Sequence, residues 1–520
     1  MEKIMEKAEN IIRKIVSCRL LYYITAMLLF LGTYYIDLRK RVEEYGQLDG
    51  NHLKYFLIAA AISGIIVILL IVFSKKIYEK IQPHNIYIIL ALIMGGMYVF
   101  LIPLCAQSDE PAHLYRAFQV AQGEVISPVK DGYFTAELPE SIVDMIQVNS
   151  ETKKREYKKY YDVKEMMEIP LNEEETTDVI TVGNYLGISY FPHAIGINLG
   201  MIFNMNPYYS AMLGRITGLM AIVLLYALGI KKLPKHKLFA SIVLLSPVAL
   251  SYTACFSADS VLLAAAFLMV SYVLYYMHTK EKIRKRDYAI FAVLTFILAV
   301  SKMAYVPIIG ILMFIPKESF ENSKLTNSQL KWGVVAIFIF LGLASAMWWM
   351  NMGNINPNVG DESYTNTWIY SKPLSYLIVL FRTTVNSGYS YIENAFAGHF
   401  LCHNQVNPYA IVPFIYIVIT IIAFFSDENK EKTNMMQKII TLGIIALVYG
   451  LVSTAMYVYN TAFKNGIIIG VQGRYFLPVI LMAMFFANKK KFDIKEERLT
   501  NIALISNYVV YLAMMAKFFV

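Results

Sequence analysis

Two carboxylates, Asp109 and Glu110, stand where an apolar run from Ile86 to Ala106 ends, and Pro111, His113 and Arg116 follow directly. A carboxylate at a membrane boundary can take the proton of a sugar or alcohol hydroxyl as that oxygen attacks an anomeric carbon. A phosphate leaving group then needs cations beside it, and arginine suits phosphate because its planar fork donates two parallel bonds. Similar residues recur at the ends of other apolar runs: Asp259 in Ser257-Ala258-Asp259-Ser260, Lys302 in Ser301-Lys302-Met303-Ala304-Tyr305, and Arg474 in Gln472-Gly473-Arg474-Tyr475-Phe476. His193 and Arg215 complete the ionisable set. Each has a plainer use. Asp109, Glu110 and Asp259 can cap helices, Lys302 and Arg474 can snorkel to the interface, and a histidine such as His193 is more often packed than catalytic. The weight lies in the set, because acids from two segments and bases from several others fall on one predicted membrane face.

The local sequence says how the first of these groups is held. Pro111 suits the first turn of a helix, since the amide it lacks would have no partner there. Asp109 and Glu110 then sit at the helix N-terminus, where the dipole favours negative charge. Leu114, Ala117, Phe118 and Ala121 form an apolar stripe suited to a membrane surface, and His113 and Arg116, three apart, share another face with the carboxylates. Gly123 ends the pattern as a C-terminal cap.

The chain that carries these residues is a membrane protein by composition. Of its 520 residues 57% are hydrophobic, and the mean hydropathy is +0.48. Hydropathy predicts an all-α polytopic fold with about thirteen transmembrane helices, each judged against the roughly 20 residues a span needs. They are Leu20–Ile36, Tyr55–Phe73, Ile86–Ala106, Ser210–Ile230, Leu238–Cys255, Val261–His278, Tyr288–Val300, Tyr305–Ile315, Trp332–Trp349, Ala410–Phe425, Ile439–Tyr459, Tyr475–Ala487 and Ile502–Phe519. The basic clusters Lys75-Lys76, Lys231-Lys232, Lys280–Arg286, Lys430–Lys432 and Lys489–Lys491 all fall inside if Tyr185–Phe203 is re-entrant or interfacial rather than a full crossing. That gives a cytoplasmic N-terminus and an extracytoplasmic C-terminus, with Arg39, Lys40 and Arg41 in dissent, diluted by Asp37, Glu43 and Glu44. The organisation expected is a two-span extension over 1–85, a transmembrane core over 86–350 with an acidic outer loop at 107–184, a second outer loop at 351–408, and C-terminal helices over 409–520. Glu151 to Glu175 is a mixed charge run that reads as a solvated face or a partly disordered stretch.

Several function classes fall away. The net charge of +9 is spread in short clusters between apolar runs, so it sets topology and not nucleic-acid binding. No Gly-x-x-x-x-Gly-Lys run is present, so ATP-driven pumping has no support. Cys18, Cys105, Cys255 and Cys402 show no metal-ligand spacing and read as free thiols. The basic N-terminus lacks a small-residue cleavage site and reads as a retained first span.

Taken in order, Asp109-Glu110-Pro111-Ala112-His113 with Arg116, Ser257-Ala258-Asp259-Ser260, Lys302 to Tyr305 and Gln472-Gly473-Arg474-Tyr475-Phe476 resemble a group of bacterial membrane proteins of unknown function. That group is placed with the GT-C glycosyltransferases, which use polyprenyl-phosphate-linked sugars at the outer membrane face. The resemblance implies a GT-C-like core and a catalytic base at Asp109 or Glu110, the acids that follow the span before the first large outer loop. It also implies a lipid-linked sugar donor and a cell-envelope glycan acceptor. Arg474, Lys302 and Arg116 are the cations expected at the donor phosphate, with His113, Asp259, Gln472, Tyr475, Tyr305, His193 and Arg215 as further site residues. A divalent cation, Mg or Mn, serves some GT-C enzymes and not others; Asp109, Glu110 and Asp259 are the residues that would hold one. Two spans precede the usual first one, and Glu393 to His399 matches no family motif. The competing readings are a transporter or flippase of lipid-linked glycans, and a protein like an O-antigen polymerase or ligase. Transport predicts ionisable groups at the midplane of broken helices, whereas here they fall at helix ends.

Overall fold

The computed structural model describes residues 19–45, 50–148, 163–320, 366–401, 406–427, 433–462, 465–486 and 490–519, with scattered positions between 329 and 344. Helices α1 (Arg19–Tyr45) and α2 (Gly50–Lys80) precede α3 (Pro83–Leu101), which delivers the chain to the Asp-Glu pair. A folded lobe follows, made of α4 (Glu110–Ala121), β1 (Val129–Lys130), β2 (Tyr133–Pro139), α5 (Glu140–Val148), α6 (Val163–Glu168) and β3 (Thr176–Ile180). Its strands form one antiparallel sheet in the order β1-β2-β3, with Ala136 opposite Val179. Next come α7 (Phe191–Ile202), α8 (Pro207–Lys232), α9 (Lys237–Leu244), α10 (Pro247–Thr253), α11 (Ala258–Thr279), α12 (Lys285–Ser301) and a 3-10 run over Met303–Phe314. The last part holds α13 (Asn366–Ser371), α14 (Pro373–Phe396), α15 (Ile411–Phe424), α16 (Met435–Tyr459), α17 (Leu477–Leu481) between two 3-10 turns, and α18 (Glu496–Phe518).

Among the described residues seven helices are long and apolar enough to cross a membrane: α1, α2, α3, α8, α11, α16 and α18. Of the other expected spans, Tyr288–Val300 and Ala410–Phe425 lie in the shorter helices α12 and α15, while others take different forms for local reasons. Leu238–Cys255 is two helices, because the Ser246 side chain accepts from the Ala249 amide and caps a new helix that starts at Pro247. Tyr305–Ile315 is 3-10 around Pro307; at about 2 Å rise per residue such a run covers more distance than an α-helix of the same length. Most of Trp332–Trp349 lies outside the described residues, as do Cys18, Cys402 and Lys430–Lys432.

In Tyr185–Phe203 a 3-10 turn over Gly187–Tyr190 leads into one short helix. Its helix α7 has 12 residues, about 18 Å at 1.5 Å per residue, against a hydrocarbon core of about 30 Å. It folds back along α8 by glycine contact, since a Cβ at Gly196 would come within 2.3 Å of the Leu213 carbonyl oxygen and one at Gly200 would meet Ser210. Small residues at this spacing let two backbones approach closely. The second expected outer loop is also not a plain loop. It contains α14, 24 residues long, whose outward stripe of Leu374, Phe381, Val385 and Tyr389 is exposed.

The two ends of the bundle differ in chemistry. Helix α11 runs from Ala258 to Thr279 and α12 returns from Lys285 to Ser301, so the Lys280–Arg286 loop lies at the opposite end from Asp259 and Lys302. Lys232, at the end of α8, joins that basic end, with its Nζ 3.7 Å from Asp287. Residues from the end of α2, the start of α3, the start of α9 and the start of α18 (Tyr78, Pro83, Leu238, Glu496) line one small cavity, which brings Lys75 and Lys76 to the same end. The dissenting Arg39 and Arg41 are matched within α1 by Glu43 and Asp37, each pair at 2.8 Å.

Candidate functional site

The site is built where four elements end. α3 stops at Leu101, and the chain turns through Cys105 and Asp109, both at positive φ, before α4 begins at Glu110. Asp109 is the N-cap of α4 but lies in the left-handed region, φ 65°, and its side chain makes no capping bond. A non-glycine residue held there stores strain that the surrounding structure must overcome. What holds it is its neighbour. The Glu110 carboxylate is fully buried and takes both forks of Arg215, Nε at 2.9 Å and Nη2 at 2.7 Å, together with the amides of Cys105 and Phe256 at 3.1 Å each. Arg215 in turn donates to the carbonyls of Val99, Ile102 and Pro103, the residues where α3 ends. At the far end of α4, the Gly123 amide reaches Val120 and the Glu124 amide reaches Gln119, with Gly123 at φ 95°. This is the two-bond glycine cap expected of Gly123.

With Glu110 pinned, the Asp109 carboxylate faces Arg474. Arg474 Nη2 donates to Asp109 Oδ2 at 2.8 Å, its Nε donates to Asp259 Oδ2 at 3.0 Å, and Lys302 Nζ donates to Asp259 Oδ1 at 2.7 Å. Nη1 of Arg474 also donates to Tyr252 and Gln472. The Tyr475 ring lies 4.3 Å from Lys302 Nζ and 5.0 Å from the Arg474 guanidinium carbon, and the Tyr252 ring lies 4.2 Å from that carbon. Such faces stabilise cations that have lost water. Two carboxylates and two cations thus form one alternating chain, Asp109–Arg474–Asp259–Lys302, walled by tyrosines. Exposure shows where it opens: the Asp109 side chain is 50% exposed, against 17% for Asp259 and 6% for Arg474. Enclosure by protein opposes ionisation of Asp109, but Arg474 and His113 outweigh it and hold its carboxyl below the usual range.

Each element contributes for a local reason. Asp259 lies in the first turn of α11, capped by the Ser257 hydroxyl, so the cap role expected of Asp259 belongs to Ser257. Lys302 is the extended residue that breaks α12 from the 3-10 run. Arg474 follows Gly473, where a Cβ would come within 2.4 Å of the Tyr391 carbonyl and the Ala395 amide of α14. No larger residue fits that approach. Tyr305 braces the wall by donating to the Tyr475 carbonyl at 2.9 Å.

Other residues expected at the site are elsewhere. Arg116 is fully buried and donates to the carbonyls of Tyr185, Glu124 and Val125 and to Gln119, which makes it a clasp of the lobe and not a phosphate ligand. Nor does α4 lie with one face open on a membrane, for Arg116, Phe118 and Gln119 are all buried. His193 packs against the Phe256 ring at 5.1 Å, in room left by Gly218. Glu110 and Arg215 serve each other. With Glu110 so committed and Arg474 between Asp109 and Asp259, the three carboxylates do not assemble as a cation site; among the described residues no group of three or more His, Cys, Asp or Glu side chains does. Nothing in the sequence marks Tyr252 or Tyr185, since only the fold brings the Tyr252 ring to Arg474 and sets the Tyr185 ring 5.5 Å from Lys302 Nζ.

A family model described as Predicted membrane protein (DUF2142) matches residues 92–483. The chain belongs to this family. The match opens inside α3 and closes with the segment that carries Arg474, so it contains every site residue named above, while α1, α2 and α18 lie outside it. No curated protein and no solved structure matches the chain.

In this DUF2142 member His113 stands behind the acidic end of the site, its Nδ1 2.6 Å from the Tyr190 hydroxyl. Burial pushes its pKa from 6.5 to about 4, an effect that Asp109 and Asp259 oppose only in part. Between those values the unfolded chain binds a proton that the folded chain does not, so stability falls as pH is lowered through that window. Thermal unfolding of His113→Gln from pH 7 to pH 4 should show a shallower loss than the unaltered protein. An identical slope would free His113 of this role.

The Glu110–Arg215 pair carries a second expectation. Breaking a buried ion pair from one side costs about 3–5 kcal/mol, because the remaining charge has no partner. Glu110→Gln should therefore lower the unfolding temperature of the purified protein, and Glu110→Gln with Arg215→Met should recover much of the loss. A single variant as stable as the parent would contradict the structural role.

Proposed function

We propose that this protein transfers a sugar from a polyprenyl-phosphate-linked donor to an extracytoplasmic glycan acceptor of the cell envelope, as a GT-C-type glycosyltransferase. The observation that carries the reading is the chain Asp109–Arg474–Asp259–Lys302 at one end of the bundle, open at Asp109 and closed behind it. In this mechanism the donor phosphate takes the Nη2 fork of Arg474 and so releases Asp109 from its resting bond. The freed carboxylate accepts the proton of the acceptor hydroxyl, whose oxygen bonds to the anomeric carbon. The bond from that carbon to the phosphate oxygen breaks, and its electron pair leaves with the polyprenyl phosphate, held by Arg474 and Lys302. Asp259 keeps the two cations at their spacing. On this reading the basic end of the bundle is cytoplasmic, which puts the N-terminus inside, the C-terminus outside, and the lobe with Asp109 on the outer face. The place of the Asp109-Glu110 pair directly after a span, which resembles that of the acidic residues of GT-C enzymes, supports the same assignment.

The test is to compare lipid-linked sugars and envelope glycans by mass spectrometry with and without the protein, then to follow the purified protein with a polyprenyl-phosphate sugar. Loss of one glycan decoration, accumulation of its donor and release of polyprenyl phosphate in vitro are the expected results. Movement of intact donor across a vesicle membrane, with no release of polyprenyl phosphate, would replace transfer by transport.

A further inference from the structure

The basic end of the bundle has no part in the chemistry above, and its construction is more specific than charge alone requires. Seven basic residues (Lys231, Lys232 and five within Lys280–Arg286) stand with two acids, Glu281 and Asp287. Both acids are engaged within the protein. Asp287 is 1% exposed and accepts from the Tyr276 hydroxyl. Glu281 accepts from the Tyr275 hydroxyl at 2.6 Å. Lys232 turns inward toward the same groups, with its Nζ 3.6 Å from the centre of the Tyr275 ring and 3.7 Å from Asp287. The loop itself is fixed. Ile283 is buried, and its amide donates to the Ser319 carbonyl at 2.8 Å, while Lys280 turns the chain at φ 53°. What remains outward is a ridge of exposed cations, Lys231, Lys282 and Lys285 among them, above a tyrosine-rich helix end.

We propose that this loop is a docking surface for the head group of an anionic phospholipid, in the leaflet opposite the Asp109–Arg474 site. Helix α11, long and apolar enough to cross a membrane, ends at the ridge, so in a bilayer the ridge stands at the boundary where tyrosines meet head groups. Clustered lysines and arginines next to a span attract anionic lipid. The cations are exposed on a loop pinned at Ile283, which suits a charged membrane surface better than a free phosphate needing enclosure. This inference does not depend on the sugar-transfer reading.

The experiment uses the full-length protein, purified in a neutral detergent, with binding followed by native mass spectrometry and by unfolding temperature. Added palmitoyl-oleoyl phosphatidylglycerol should bind and raise the unfolding temperature, whereas the phosphatidylcholine of the same chains and inorganic phosphate should do neither. The phosphatidylglycerol effect should vanish in about 1 M NaCl, where screening acts within about 3 Å. It should fall several-fold in Lys231→Gln/Lys282→Gln/Lys285→Gln, whose unfolding without lipid is unchanged. Equal shifts from the two lipids would overturn the proposal, since the charges would then serve only to orient insertion. So would a shift from inorganic phosphate alone, or full phosphatidylglycerol binding by the triple variant. If that variant cannot be purified, the salt dependence of the unaltered protein decides: a lipid shift indifferent to NaCl sinks the idea.

Discussion

Asp109→Asn is expected to lower sugar transfer by about 10²–10⁴-fold, the usual cost of removing a positioned general base, with the protein folded and the donor still bound. Asparagine keeps the size of the side chain and can still accept from Arg474, so the site should hold its shape. Its amide cannot take a proton, and only the chemical step should suffer. The pH dependence gives an independent check. Arg474 holds the Asp109 carboxyl of the free protein below the usual carboxylate range, so the parent should keep its base ionised there, and its kcat/KM level, across neutral and mildly acidic pH. A variant that weakens the Arg474 contact should lose rate at higher pH than the parent, because the carboxyl then protonates earlier. Rates of purified Asp109→Asn within a factor of about ten of the parent would remove this residue from the base role.

Arg474 carries the second large effect, and it should appear in donor dependence. The guanidinium makes contacts to Asp109, Asp259, Tyr252 and Gln472, and a bound phosphate would replace the first of these. A charge-assisted bond of this kind contributes about 1.5–3 kcal/mol, so Arg474→Ala should weaken donor use by roughly 10- to 100-fold. Arg474→Lys keeps the charge and loses the fork, and a single ammonium cannot reach Asp109, Asp259 and the phosphate together. It should fall between parent and alanine. An interface anchor alone would let lysine serve as well as arginine and would show the alanine variant as a loss of protein. The measurement is transfer rate against donor concentration for purified variants, normalised to folded protein. An unchanged donor dependence in Arg474→Ala would leave the residue a structural link between α4 and α11.

Membrane character was legible in the sequence because it is additive: hydropathy sums over about 20 residues whatever the neighbours do. Seven full-length helices among the described residues follow from that sum. The helix after Pro111 and its Gly123 cap were legible too, because capping chemistry acts within a few residues. So was the close backbone approach at Gly473. The division of labour between Asp109 and Glu110 was not. Adjacent acids at a helix start look alike in sequence, and Arg215, 105 residues away, takes one of them and leaves the other to Arg474. Arg116 shows the same limit, since its spacing fits either a phosphate or a cluster of carbonyls, and only the lobe's turn at Glu124 and Val125 supplied the carbonyls.

By itself, then, the sequence determined a polytopic helical membrane protein, for that follows from composition and local spacing. Only the tertiary structure decided which ionisable groups share a site. Coulomb and hydrogen-bond energies depend on distances of a few ångström between residues hundreds of positions apart, such as the 2.8 Å between Arg474 and Asp109, and those distances are set by how helix ends pack.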